Sequence, residues 1–323
     1  MENTRKWRYG VNRWIILLFV ILAIIVVSFF PPVQPHILVA PERVTHAPLI
    51  TLPVLGEIYL TNTLTTMLLV DLIVILLALA VRNALNKGEQ VLGGIAGAVE
   101  ALVDMLYNMA ESTAGRWTRL IFPWFAAFMI VVLISNWIGL IPGMESVGTL
   151  EHAEAEGHAA AALIPGVNAM ISSEGEYAVV PWFRGMSTDL NFTVALALIS
   201  IIATQVIGFQ TQGIRYLYRF FNVTTLFKKP FFGAMDLIVS LLELISEFSK
   251  ILSFAFRLFG NMFAGMVLLF LISTMAPVFA PSLIMTFEFF IGLIQAYVFG
   301  MLSLVFMSQA TQGHGEHDEE HHE

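Results

Sequence analysis

The chain has 323 residues, 57% of them hydrophobic and only 12% charged, with a formal net charge of -8. A soluble domain carries ~25% charged residues, so the composition excludes one and describes an integral membrane protein. Cysteine is absent, which excludes disulfides and thiolate metal sites. The acidic excess says little about partners, because eight acidic residues fall within 151–156 and 316–323, stretches that are solvated whatever the rest does.

In chain order, Arg5, Lys6, Arg8 and Arg13 precede the 17-residue apolar run Trp14–Phe30, which Pro31-Pro32 closes. A basic segment before an apolar run is also the form of a cleaved signal peptide, but no small-x-small site precedes the prolines, so we read an uncleaved helix. Residues 31–55 are proline-rich and nearly uncharged, which suits a short extramembrane segment. Residues 1–55 thus read as a first helix followed by a proline-rich segment. Leu60–Val81 is long enough to span, with Asp71 inside it as a carboxyl facing neighbouring helices or serving transport.

Residues 89–115 mix Glu100, Asp104 and Glu111 with apolar positions at helical spacing, which predicts an amphipathic helix at the membrane surface. Phe122–Ile141 spans and contains Asn136. The polar stretch 144–187 reads as an extramembrane loop or small hairpin. His152 and His158 there lack a third ligand at a defined spacing, so no metal site is assigned. Asn191–Phe209 spans again, introduced by Asp189 and Asn191, and two long apolar segments, 231–274 and 282–308, close the domain. At about 1.5 Å per residue the first of these reaches ~65 Å against a ~30 Å hydrocarbon core. It must tilt, break or lie partly along the interface. The expected fold is all-α: a polytopic membrane protein of about six hydrophobic helices, the last two forming a long, strongly tilted hairpin. The acidic, His-rich tail 313–323 reads as a disordered solubilising segment, with metal chelation as the alternative.

Basic residues orient the chain. Of 16 Lys and Arg, four precede the first helix, four stand at 82, 87, 116 and 119, and four lie in 213–230; only Arg43 and Arg184 fall in the alternate loops. This bias of 12 to 2 places both termini in the cytoplasm.

The chemistry concentrates late in the chain. Glu243, Lys250, Arg257 and Asn261 are spaced by 7, 7 and 4, so on a helix they form one stripe, with Ser246, Glu247 and Ser253 near it. Arg257 stands inside a segment that otherwise reads as membrane-buried, where an arginine costs roughly 3 kcal/mol on insertion scales. Glu288 and Gln295 share one face of the last helix. With opposite helix directions, Glu243 lies toward the cytoplasm and Glu288 toward the outer face, with a fixed cation between them. Two half-paths that do not join suit a device that blocks leakage while handing ions to a moving partner. Polar residues that only glue helices together are the simpler alternative, and a secondary transporter is another, but no second copy of the stripe marks an inverted repeat. There is no Gly-x-x-x-x-Gly-Lys loop, so no nucleotide site is visible.

The stretch Arg257-Leu-Phe-Gly-Asn-Met-Phe-Ala-Gly265, with Glu243 fourteen residues earlier and Gln295-Ala-Tyr-Val-Phe299 in the last helix, resembles subunit a of the F-type ATP synthase. Ser135-Asn-Trp-Ile-Gly-Leu-Ile-Pro-Gly143 and Thr188-Asp-Leu-Asn-Phe-Thr193 add to the resemblance, which covers about residues 55–312. It implies the static half of a rotary motor in a bacterial inner membrane, without catalytic residues, cofactor or metal. The implied partners are the c-ring, b-type peripheral stalk subunits, the catalytic head and the lipid bilayer, and no nucleic acid. Arg257 matches the arginine that attracts the ring carboxylate and blocks a short circuit. Asn261 and Gln295 match residues lining the path, and Glu243 and Ser253 match exit residues. Where some members have glutamate nine residues after the arginine, this chain has Met266; where they have histidine seven before the glutamine, it has Glu288. The ionisable group has moved to the partner helix, which makes Glu288 the expected outer inlet, with Asp71, Asp189 and Glu247 as helpers. The first span exceeds the usual layout of five.

Overall fold

A computed structural model describes residues 9–29, 38–53, 56–86, 94–164, 167–219 and 230–312. Its helices are α1 (Tyr9–Phe29), α2 (Asn62–Asn86), α3 (Gly94–Ala114), α4 (Thr118–Ile138), α5 (Leu190–Gln212), α6 (Pro230–Met275) and α7 (Ala280–Thr311). Strands β1 (Ile50–Leu52) and β2 (Gly56–Ile58) form one antiparallel pair, and β3 (Gly148–Ile164) and β4 (Val167–Pro181) another. The membrane part is all-α, as expected. The insertion between α4 and α5 is a long β-hairpin whose register runs from Gly148 opposite Pro181 to Ile164 opposite Val167. The basic segment 1–8, the stretch 220–229 with Lys228 and Lys229, and the tail 313–323 lie outside the described residues.

Among the described residues, five helical stretches are long and apolar enough to cross a membrane: Asn62–Asn86, Ala96–Ile138, Leu190–Tyr216, Ile238–Met275 and Ala280–Thr311. A shorter apolar helix covers Arg13–Ser28 and leaves nearly all its side chains exposed. A helix satisfies its own backbone hydrogen bonds, which is why apolar runs of this length fold so in lipid. On α2 the exposed side is Leu68, Leu72, Ile75, Leu76 and Leu79, a surface that suits hydrocarbon and not water.

The amphipathic pattern of α3 is real. Leu106, Ala110 and Ala114 are buried at helical spacing, while Glu100, Asp104 and Glu111 are exposed. A single 3-10 turn, Gly115–Trp117, joins α3 to α4. Gly115 sits there at φ +52°, a conformation that a side chain disfavours. The core lies where α3, α4, α5, α6 and α7 meet, around Phe125, Met129, Leu258, Phe299 and Leu304. Small residues let these helices approach: a methyl group at Gly300 of α7 would lie 3.2 Å from the Met129 Cβ and from the Phe125 ring of α4. Ser200 of α5 and Ser303 of α7 share a buried hydrogen bond of 2.8 Å, the kind of polar contact that ties helices together where the hydrophobic effect cannot.

Helix α6 is 46 residues long and continuous, about 69 Å at 1.5 Å per residue. Of the three ways to fit such a segment, a break is therefore excluded. Its C-terminal part, the N-terminal part of α7, the C-terminus of α4 and the N-termini of α2 and α5 meet beneath the β3–β4 pair, at what is called here the hairpin end. The opposite, tail end is fixed by Gln212 of α5 donating to the Ala310 and Gln312 carbonyls, each at 2.9 Å, and by Ser308 of α7 donating to the Thr113 carbonyl of α3 at 3.0 Å.

Candidate functional site

Glu288 is the centre of the site. It is 3% exposed on α7, and its carboxylate lies directly over Gly265 of α6: a methyl group there would sit 2.2 Å from each carboxylate oxygen. A side chain at this position would displace the acid, so the Gly265 of the sequence motif leaves it room. The α7 backbone is held in register beside it by Trp137 of α4, whose ring stacks on Phe289 at 4.5 Å between centroids and whose Nε1–H donates to the Phe289 carbonyl at 3.3 Å. One turn further on, Asn136 of α4 donates through Nδ2 to the Gly292 carbonyl at 3.0 Å. The Asn136 Oδ1 accepts from the Ser187 hydroxyl at 2.6 Å, and Ser187 in turn lies 3.4 Å from the Ser135 hydroxyl. Asn136, Ser187 and Ser135 are each no more than 2% exposed, so this is a buried polar file with its hydrogen bonds made.

Glu288 separates two hollows. Toward the hairpin end, a cavity of ≈ 40 Å³ is lined by Glu288, Gly265, Met266, Asn136, Ser187 and Glu145, among others. On the other side, an open hollow of ≈ 310 Å³ is lined by Glu288, Gln295, Asn261 and Gly265 with apolar neighbours. Asn261 is exposed on α6, and one turn below it Arg257 is exposed on the same face. The Arg257 Nη2 lies 3.4 Å from the Ser253 hydroxyl, and among the described residues it forms no ion pair. The structure thus brings Glu288, Gln295 and Asn261 around one open hollow, and sets Arg257 and Ser253 further along the same exposed face of α6. Glu243 is half-buried fourteen residues before Arg257, about 21 Å toward the tail end.

Three expected helpers take other roles. Glu247 pairs with Lys250 of the stripe and reaches across to α5: its Oε1 lies 2.7 Å from the Lys250 Nζ and its Oε2 accepts from Gln205 at 3.2 Å. Gln205 is itself fixed by the Tyr216 hydroxyl at 2.8 Å, and Lys250 lies 4.5 Å over the Phe306 ring of α7. Asp189 caps α5, accepting from the Asn191 amide at 2.9 Å through Oδ1 and from the Thr63 hydroxyl at 2.9 Å through Oδ2. Both of its oxygens are occupied, and it lines neither hollow. Asp71 is exposed on the outward side of α2, away from Glu288.

Two residues at the hairpin end are not singled out by the sequence. Arg184, 5% exposed, donates to the Thr188 hydroxyl and to the Leu38 and Ala40 carbonyls, tying the segment before β1 to the base of β4. Glu145 accepts from the Gly185 amide at 3.2 Å and lines the buried cavity. The sequence signal is slight: an acid just beyond the Pro142-Gly143 that ends a span. Gly143 sits at φ +86° and turns the chain there.

A bundle of apolar helices with a buried carboxylate between two hollows, and an exposed cation that forms no ion pair among the described residues, defines a multi-pass membrane protein that handles ions. The chain belongs to the ATP synthase A chain family, whose family model matches residues 63–308. Among its relatives, a Propionigenium modestum protein named ATP synthase subunit a, sodium ion specific, is 32% identical over 68% of this chain and 64% of its own length. A Mycobacterium bovis ATP synthase subunit a is 29% identical over 83% of this chain and 92% of its own, and one from Geotalea uraniireducens is 26% identical over 77% and 87%.

Proposed function

We propose that the chain is the proton-translocating stator subunit of an F-type ATP synthase, offering two offset half-channels and an essential arginine to a rotating c-ring. The observation that carries this reading is the position of Glu288 between a buried hairpin-end cavity and an open hollow that leads past Gln295 and Asn261 to the face bearing Arg257. A proton passes from the cavity to Glu288 and then, by way of the open hollow, to a carboxylate on the ring. Glu243 and Ser253 belong to the second path, which opens at the tail end. Arg257 attracts each deprotonated ring carboxylate and keeps the two paths apart, because a fixed positive charge repels a conducted cation. Residues 56–312 are the working membrane domain, and the chain is a non-catalytic part of the complex. Its other partners are b-type stalk subunits and the catalytic head. The positive bias of 12 to 2 supports a cytoplasmic C-terminus in a bacterial inner membrane.

Purification in mild detergent tests the assignment: a small ring-forming subunit with a mid-membrane carboxylate co-purifies, whereas isolation of the chain alone would contradict it. A second reading, sodium in place of protons, is favoured by the sodium specificity in the name of the Propionigenium relative. ATP synthesis driven by a proton gradient in sodium-free buffer separates the two. The proton reading expects full rates; an absolute need for sodium selects the other.

A further inference from the structure

The described path begins at Glu288, which is buried, so some group must collect protons from the aqueous side and deliver them to it. Glu145 is placed for this. It lies in the short 3-10 turn Met144–Ser146 after α4, outside the membrane-spanning helices, and lines the same cavity as Glu288. The same cavity is lined by Ser187, Asn136 and Ser135, hydroxyl and amide groups that both donate and accept. A cavity of ≈ 40 Å³ has room for about three waters at ~10–15 Å³ each. That is enough for a short relay among these groups. Accepting from the Gly185 amide at 3.2 Å fixes the Glu145 carboxylate at the wall of this cavity.

The charges around Glu145 come from two other elements. Arg184, before α5, favours the ionised form, while Glu42, in the segment before β1, disfavours it; across the cavity the facing acid is Glu288. Burial is the largest influence and pushes the Glu145 carboxyl above its ordinary value, against the Gly185 hydrogen bond and Arg184. A carboxyl raised in this way takes up and releases protons closer to neutral pH than an exposed glutamate does.

We propose that Glu145 is the proton-collecting group at the mouth of the outer half-channel, passing protons through the Ser187 and Asn136 cavity to Glu288. The proposal rests on the stator reading above. It makes Glu145 a group that the conducted proton itself visits, and not a support for another residue.

The test uses the whole complex reconstituted in vesicles, with ATP synthesis measured as the pH of the outer-side compartment is varied at constant driving force. Glu145→Gln is expected to lose rate most at neutral and higher outer pH, where free protons are scarce, and least at acid pH, where they reach the cavity unaided. Glu145→Asp regains most of the lost rate. A Glu145→Gln complex matching wild type at every outer pH overturns the proposal. So does a loss that is uniform across pH and not regained by aspartate, which describes a packing role. Arg257→Ala in the same preparation separates the two levels: if it synthesises ATP normally, the stator reading itself fails. If it is inactive while Glu145→Gln behaves as wild type, only the role of Glu145 fails.

Discussion

Helix α6 carries two cations seven residues apart, and their surroundings differ in every respect. Lys250 is closed in: Glu247 lies 2.7 Å away, the Phe306 ring lies 4.5 Å beneath, and Gln205 and Tyr216 complete the network. Arg257 is exposed, with Ser253 on its own helix at 3.4 Å and no ion pair among the described residues. Both charges sit on a helix that must pass through lipid, where a charge without compensation is costly. One is neutralised inside the chain, so its role is to hold α5, α6 and α7 together. The other has no ion pair among the described residues, and under the proposed function its compensation is a carboxylate of the ring. Arginine suits that second task, because its planar guanidinium keeps its charge under all conditions and engages a carboxylate through two parallel bonds.

The contrast is sharpened by exchanging what is removed. Arg257→Ala is expected to abolish proton-driven ATP synthesis in reconstituted vesicles while leaving ATP hydrolysis by the detached head intact; normal synthesis would remove Arg257 from the mechanism. Glu288→Gln should follow, slowing synthesis strongly, with Glu288→Asp restoring much of the rate. Equal rates for glutamine and wild type would take Glu288 out of the path. Lys250→Ala should do the opposite of Arg257→Ala: it leaves the Glu247 carboxylate buried and unpaired, lowering stability by about 3 kcal/mol, while synthesis by the intact complex persists. Thermal unfolding in detergent measures this, and replacing both members of the pair by apolar residues recovers the loss. Gly265→Ala should have the smallest effect, displacing the Glu288 carboxylate, which is the flexible end of a side chain, and lowering the synthesis rate severalfold without a change in unfolding temperature. A stability loss without a rate change would show that Gly265 serves packing alone.

What was legible in the sequence follows the physics of each element. The long apolar helices and the stripe from Glu243 to Asn261 were readable because the helical period is local, and Met266 and Glu288 drew attention because they stand at fixed distances from motif residues, nine after Arg257 and seven before Gln295. The structure adds how Glu288 is accommodated: Gly265 leaves room for the acid from the other helix. The direction of Glu247 was not legible, since only the packing of α5 decides which side of α6 its carboxylate meets. Asp189 reads as an ioniser in the sequence and serves as a helix cap, because Thr63 and the Asn191 amide reach it only in the fold. The β3–β4 pair is rich in Ala, Gly and Glu, a composition with little strand preference, so it read as a loop or small hairpin. The Glu145 and Arg184 cluster joins segments more than 100 positions apart, Leu38 to Arg184, and no local pattern announces it.

The central claim is that the counter-ion of Arg257 belongs to another polypeptide. The chain contains no cysteine, so a single cysteine can be placed at Asn261, exposed one turn from Arg257, and tested for disulfide formation against cysteines flanking the mid-membrane carboxylate of the ring subunit. The account predicts a ready cross-link from position 261 that stops rotation-coupled hydrolysis and is reversed by reductant, and none from the buried position 258. No cross-link at 261, or one to a different subunit, would contradict it.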